Sequence, residues 1–387
     1  MTSNRTHNSI GSLANDRKLF SSFPIVCVSH GFQTNYERGF CNGLVENGAP
    51  LTLISSDRTD VARLAGKVQT RNLRGSQEES RTRLQKALNM LSYHLSLMAY
   101  AIYKRRSIMH VIGLIDPALL CGILEGLLFR LVNRRYVLTV HNLLPHDRHT
   151  NFNRICYGLS FRIAHQLVVH TECMKHDLTA KFGIDSDKIL VMEHGIEPAT
   201  EANYDWGDER RPGQVPMILI FGKIAPYKGV DLLVEALQSV SFAFRLVIAG
   251  ACPSDDFRQR LRVLIAGHPF RECIEWRDGF VPEQDMERLF KAADLVALPY
   301  RHIDQSGVLF QALRFGVPVL ATRVGQFAHY VTKDVGEVAE PNDLANLGLA
   351  LERWAVRRNS FQRSGIRDVG RSYEWPATVR ALSRVYQ

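Results

Sequence analysis

Residues 217–240 read Met217-Ile-Leu-Ile-Phe-Gly-Lys-Ile-Ala-Pro-Tyr-Lys-Gly-Val-Asp-Leu-Leu-Val-Glu-Ala-Leu-Gln-Ser-Val240. An unbroken apolar run, a loop with two lysines, two glycines and a proline, and then apolar residues at helical spacing predict a strand, a tight loop and a helix. The same alternation runs on toward the C-terminus. Strands are expected at 244–249, 295–298 and 318–321, with helices at 230–240, 286–293 and 308–315. It also runs through the first half. Strands are expected at 24–28, 51–54, 109–112, 136–140, 166–170 and 189–192, with helices at 36–47 and from Pro117. A β-α-β series of this kind implies an α/β chain with mostly parallel, doubly wound sheets.

One stretch interrupts the series. Residues 198–215 (PATEANYDWGDERRPGQV) are polar, acidic and rich in glycine and proline, as a linker is. With 387 residues, the chain is too long for one ordinary core and fits two domains. The expectation is therefore two tandem Rossmann-like domains facing across a cleft. Their bounds are 1–197 for the first, 198–215 for the linker and 216–370 for the second, with 371–387 a C-terminal helix returning to the first domain.

Composition bounds the function. Apolar residues make up 45% and charged residues 22%, which is globular usage. No uncharged apolar run reaches the length of a membrane span. The polar first twenty residues lack a secretory signal. Seven cysteines, an odd number with no C-x-x-C pair, argue against a disulfide framework or a zinc site and for a reducing cytoplasm. The net charge of +9 is concentrated in the first half, which holds 24 Lys+Arg and 16 Asp+Glu over residues 1–200. Between Arg81 and Ile115 six basic residues occur with no acid. With no nucleic-acid motif beside it, this basic patch points to an anionic membrane surface or a lipid-phosphate acceptor, with a solvated face that has no partner as the plain alternative. Leu84, Leu88, Leu91, Leu95, Met98 and Ile102 recur at helical spacing inside it. Such a stripe is more often core than membrane contact, although it ends in Tyr103-Lys-Arg-Arg106.

Four constellations carry chemistry. Gly222, Lys223 and Lys228 lie in the loop between a strand and a helix, where parallel sheets bind ligands. Two lysines there balance a diphosphate, and Gly229 opens a helix whose N-terminus favours anions. Gln305, Ser306, Gly307 and Val308 form a second strand-to-helix loop in the same domain. Gly307 allows close approach to backbone N–H groups, and the helix dipole adds positive charge. The third is Thr139-Val-His141-Asn-Leu-Leu-Pro-His146, where His141 ends a strand and can bond a sugar hydroxyl or carry a proton. The fourth is Glu193-His194-Gly195-Ile196, where His194 either touches the ligand or caps a hinge. A solvated turn, or a satisfied structural histidine, is the plain alternative in each case. Asp185-Ser-Asp187 reads as a turn rather than a metal site.

These blocks resemble the family 4 glycosyltransferases of the GT-B fold. The string FGKIAPYKGVDLLVEAL is similar to that family's G-R/K…Y-K-G loop and helix. TVHN, EHGI, GFVPEQDMERLFKAADLVALPY and QSGVLFQALRFGVPVLATRVG match its other blocks in order. The final stretch, SYEWPATVRALSRVYQ, is similar to its C-terminal helix. The resemblance implies that Lys223 and Lys228 bind the donor diphosphate together with the amides of Ser306, Gly307 and Val308. It implies that His141 contacts the transferred sugar and that Gly31 lies near the phosphates or acceptor. The family's two glutamates eight positions apart are replaced here by Ile303 and Gln311, unless a gap brings Asp304 into place. Gln311 can still bond a ribose hydroxyl. The expected activity is transfer of a hexose from a nucleoside diphosphate sugar to a glycan or lipid-linked hydroxyl, in exopolysaccharide or lipopolysaccharide assembly. It would proceed with retention, without metal or cofactor, in the cytoplasm or on the inner face of a membrane. A nucleotide-sugar epimerase and a catalytically inactive binding subunit are the rival readings. A Rossmann oxidoreductase is disfavoured, because Ser29-His-Gly-Phe-Gln-Thr34 is no G-x-G-x-x-G loop.

Overall fold

The computed structural model describes residues 19–20, 23–31, 33–78, 80–115, 121–144, 150–197, 214–303 and 306–387. They divide into two compact units, Met1–Gly195 with Trp375–Gln387, and Ile196–Glu374. The expected linker falls almost wholly at 198–213, outside the described residues, as do His146 and the start of the helix expected from Pro117.

The first unit carries seven strands, β1 (Ile25–Val28), β2 (Leu51–Ser55), β3 (Gln69–Asn72), β4 (Ile108–Val111), β5 (Arg135–Thr139), β6 (Gln166–Val169) and β7 (Ile189–Val191). Its helices are α1 (Thr34–Glu46), α2 (Arg83–Tyr103), α3 (Cys121–Val132), α4 (Asn151–Ile163) and α5 (Glu172–Phe182). All pairings are parallel, in the order β3-β2-β1-β4-β5-β6-β7. Strand order reverses between β1 and β4, which places a ligand crevice at their carboxyl ends. One apolar layer, with Phe40, Leu44 and Trp375, covers one face of the sheet. A second, with Tyr93, Leu97, Phe129 and Phe161, covers the other.

The second unit repeats the plan. It runs β8 (Met217–Phe221), α6 (Val230–Ala236), β9 (Arg245–Ala249), α7 (Asp255–Ala266), β10 (Ile274–Arg277), α8 (Glu283–Ala292), β11 (Leu295–Leu298), α9 (Gly307–Arg314), β12 (Val319–Thr322), α10 (Phe327–Tyr330), β13 (Gly336–Ala339), α11 (Leu344–Arg357) and α12 (Arg363–Arg371). The sheet order is β10-β9-β8-β11-β12-β13, again parallel, with its reversal between β8 and β11. β8 and β11 are apolar on both faces because helices cover both sides.

Three expectations change. The leucine stripe of α2 does not face the core: Leu84, Leu88, Leu91, Leu95 and Ile102 are all more than half exposed. The sheet-facing stripe is instead Tyr93, Leu97 and Ala101, with His94 beside it. An apolar pattern of the right period thus lay on the wrong side of a helix that carries two. The C-terminal segment is not one helix. A single α-turn, α13 (Trp375–Thr378), passes into a 3₁₀ stretch at Val379–Arg384. Trp375 is pressed so tightly against Gly195 that a Cβ there would lie 2.2 Å from its ring. Side-chain seating, not helical continuity, fixes this segment. Finally, α6 stops at Ala236, four residues short of the expected Val240, where the Ser239 hydroxyl donates to the Ala236 carbonyl at 3.2 Å.

Candidate active site

In the second unit the lysine loop and the serine-glycine loop follow β8 and β11, the two strands at which strand order reverses. They touch. A Cβ built on Gly222 would lie 3.1 Å from Lys228 Nζ and 3.6 Å from Val308 Cγ2, so Gly222, Lys228 and Val308 converge. Gly222 adopts φ +88° and donates its N–H to the Ala249 carbonyl at 2.9 Å. Pro226–Lys228 forms a 3₁₀ turn closed by Gly229 at φ +63°. Gly229 has no room for a side chain, since a Cβ there would sit 2.0 Å from the Pro299 carbonyl oxygen. The turn is clamped by Arg301, whose guanidinium donates two 2.9 Å bonds to Asp231 and whose N–H donates to the Tyr227 carbonyl.

Lys228 is buried, and its ammonium donates to the Phe221 carbonyl at 3.1 Å and lies 5.2 Å over the Tyr300 ring. Burial without a counter-charge pulls its pKa down to about 8. A buried cation held this way is poised to gain from an anion. Lys223, one residue past Gly222, is exposed. Ser306 is buried, and its hydroxyl pairs with the Tyr300 hydroxyl at 3.3 Å rather than capping α9. The first N–H groups of α9 are therefore left without a side-chain cap. Among the described residues nothing lies within 4 Å of a Cβ built on Gly307, beside those amides. Gln311, one turn into α9, is half-buried, and its Oε1 is buried without a hydrogen-bond partner among the described residues. Asp304 and Gln305 lie outside the described residues.

In the first unit a buried polar network lies at the carboxyl end of β1. Gly31 follows β1 at φ +76°, and its N–H donates to the Ser29 hydroxyl at 3.1 Å. His30 Nδ1 is 2.6 Å from the Tyr93 hydroxyl, and its Nε2 is 3.2 Å from Glu125 Oε1. Glu125 Oε2 is 3.6 Å from His94 Nε2, so one buried carboxylate serves both imidazoles. His141 lies two residues past β5, with Nε2 2.8 Å from the Ile112 carbonyl and its ring edge-on to Tyr36 at 4.6 Å. Burial pulls the His141 pKa down to about 4, so the ring is neutral at pH 7. His194 packs against the same Tyr36 at 5.3 Å, and its pKa too is lowered by burial. His141 and His194 thus sit in one histidine cluster.

His170 completes that cluster, 5.1 Å from His141 and 5.3 Å from His194. Sequence reasoning read Gln166–His170 only as a strand. The signal was present, because His170 follows β6 much as Val140-His141 follows β5. A cavity of about 250 Å³ opens beside His141. Gln33, Gly113, Asn142, Tyr157 and Phe161 contribute to its lining. That is somewhat below the usual range of about 300–1,000 Å³ for small-molecule clefts and suits a single ring.

Among the described residues no group of three His, Cys, Asp or Glu side chains is placed to hold a metal ion. Asp185 Oδ1 accepts the Asp187 N–H at 3.0 Å within a 3₁₀ turn, as short polar residues do.

Comparison with known proteins gives these sites a lineage. Residues 33–200 match the model described as Glycosyltransferase Family 4, and residues 215–355 match the model described as Glycosyl transferases group 1. An uncharacterised glycosyltransferase of Methanocaldococcus jannaschii is 26% identical over 57% of this chain and 60% of its own. The D-inositol 3-phosphate glycosyltransferase of Nocardia farcinica is 30% identical over 58% of this chain and 52% of its own. The chain therefore spans little more than half the length of these curated relatives. The crystal structure of Anabaena HepE in complex with UDP is similar with a TM-score of 0.68 at 14% identity, covering 94% of this chain and 99% of that one. With one model matching each half, and the fold shared along nearly its whole length, the chain belongs to the family 4 glycosyltransferases of the GT-B fold.

Proposed function

We propose that the protein transfers a hexose from a nucleoside diphosphate sugar to a hydroxyl of a glycan or lipid-linked acceptor. The observation that carries this reading is the buried Lys228 ammonium, meeting Gly222 and Val308 at the mouth of β8 and β11. A diphosphate fits it. Lys228 and the exposed Lys223 supply two charges, and the Ser306, Gly307 and Val308 amides supply donors without a side-chain cap. Breaking the anomeric C–O bond leaves growing negative charge on the diphosphate. Preorganised donors and cations at that point stabilise it more than they stabilise the intact donor. The structure of Anabaena HepE with UDP supports a nucleotide of this kind.

Gln311 is assigned to a ribose hydroxyl, because its buried Oε1 awaits a donor. His141 and His194 are assigned to the sugar side, with His141 acting as a neutral hydrogen-bonding group rather than an acid. Gly31 is assigned, as the family resemblance implies, to the phosphates or the acceptor. The reading includes retention of anomeric configuration, no metal, and a role in exopolysaccharide or lipopolysaccharide assembly at the inner face of a membrane.

The test is a thermal-shift screen of nucleoside diphosphate sugars. One of them is expected to raise the melting temperature selectively, and no shift with any would contradict the reading. Gln311→Leu gives a sharper check. Leucine of similar volume removes an unpaired buried acceptor, so the ligand-free protein should melt no lower than wild type. Donor affinity should fall about tenfold, the worth of one good hydrogen bond. Unchanged affinity by calorimetry would remove Gln311 from the ribose.

A further inference from the structure

The outward stripe of α2 does not stand alone. α2, α3 and α4 lie side by side on one face of the first sheet, α2 against α3 and α3 against α4. Each turns a second apolar stripe to solvent. On α3 it is Leu124, Leu127 and Leu131, spaced i, i+3 and i+7; on α4 it is Phe152, Ile155 and Leu159, at the same spacing. Together with the α2 leucines these make an apolar surface three helices wide, which is far more than scattered exposed residues need.

Its charge is one-signed. α2 and α4 contain no Asp or Glu, and the single acid of α3, Glu125, is buried between His30 and His94. Basic residues frame the surface: Arg83 and Lys86 at one end of α2, Arg105 and Arg106 just past the other, and Arg130 and Arg154 on the neighbours. No helix among the described residues is long and apolar enough to cross a membrane. An apolar stripe edged by cations without acids matches a helix lying in the plane of an anionic bilayer. A second copy of this chain would set cation against cation across the face.

We infer that the outer faces of α2, α3 and α4 dock the protein in the plane of an anionic lipid bilayer. The inference rests on the transferase reading in one respect, the acceptor. α4 turns Tyr157 and Phe161 into the cavity beside His141 while Phe152, Ile155 and Leu159 face outward. One helix thus separates the cavity from the docking face. A lipid-linked acceptor reaches the cavity with its tail still in the bilayer.

The test is co-flotation of the full chain with phosphatidylglycerol-containing vesicles and with pure phosphatidylcholine vesicles. Binding is expected to the first, to weaken with added salt and to be much weaker to the second. Leu88→Glu combined with Leu95→Glu should abolish it, since both side chains are exposed and bear no fold. Reversing Arg105 and Arg106 to Glu should weaken partitioning at least about tenfold. The ligand-free melting temperature should stay at the wild-type level in both variants, which shows that they are folded. Vesicle binding that is absent, or unchanged in these variants, overturns the docking face and leaves the transferase reading standing. A wild-type dimer in sedimentation that Leu88→Glu splits would assign the face to a second copy and overturn it as well.

Discussion

Replacing Lys228 by alanine is expected to abolish nearly all transfer while leaving the second unit folded. The side chain is buried, but among the described residues its polar contact is one 3.1 Å bond to the Phe221 carbonyl. The surrounding turn is held independently by Arg301, Asp231 and Gly229. What alanine removes is the buried cation that meets Gly222 beside Val308 of α9. Deleting one preorganised donor at a developing anion commonly costs about 10²–10³ in kcat, and a buried full charge belongs at the upper end. The pH dependence follows from the same burial. In the empty site the Lys228 pKa is lowered to about 8, so its charge is lost as pH rises through that value. Diphosphate affinity should therefore decline above pH 8, by up to about tenfold per unit, and Lys228→Ala should show no such decline. Initial rates with circular dichroism melts, and calorimetry across pH, check both. Near-normal turnover in the variant would sink the phosphate assignment.

The second large effect is structural. Trp375→Ala is expected to destabilise the first unit by about 3–5 kcal/mol, the usual cost of emptying a buried tryptophan site. Its indole is buried, with ring centres 4.8 Å from Tyr36, 6.0 Å from Phe40 and 5.3 Å from His194. The backbone has been shaped around it: a Cβ on Gly39 would lie 2.0 Å from the indole nitrogen. Collapse into the void is thus limited, and the lost contacts are not recovered. For a unit of this size the loss corresponds to a melting point lower by roughly 10 °C. A melt that matches wild type would contradict the placement of Trp375–Gln387 in this core. Because Tyr36 and His194 also flank the His141 cluster, the variant should lose turnover as well.

Much of this was legible in the sequence, for one physical reason. Central parallel strands are buried on both faces and read as unbroken apolar runs, such as Met217–Phe221 and Leu295–Leu298. The loops after them announce themselves through glycine, lysine and proline. Three of the four edge strands, β3, β10 and β13, did not announce themselves. β3 is Gln-Thr-Arg-Asn, largely exposed, and needs only backbone bonds to β2. β10, Ile-Glu-Trp-Arg, pairs along one side with β9. Neither has an apolar run to detect. The orientation of α2 was also hidden, because periodicity gives a stripe but not the partner it faces. Tyr93 and His94 face inward because Glu125 and His30, far away in sequence, supply their polar partners. The same holds at the candidate site. Lys228 could be found from its loop, whereas the unpaired Oε1 of Gln311 and the Tyr300–Ser306 contact follow only from packing.

The central claim is that the β8 and β11 loops of the second unit grip the diphosphate of a nucleotide. The most direct measurement is the melting temperature of wild type and Lys228→Ala with UDP, GDP, ADP and TDP and their hexose conjugates. The account predicts that one base series stabilises the wild type, and that Lys228→Ala keeps its ligand-free melting point but loses that shift. A shift of equal size in the variant, or none in the wild type with any nucleotide of the panel, would contradict it.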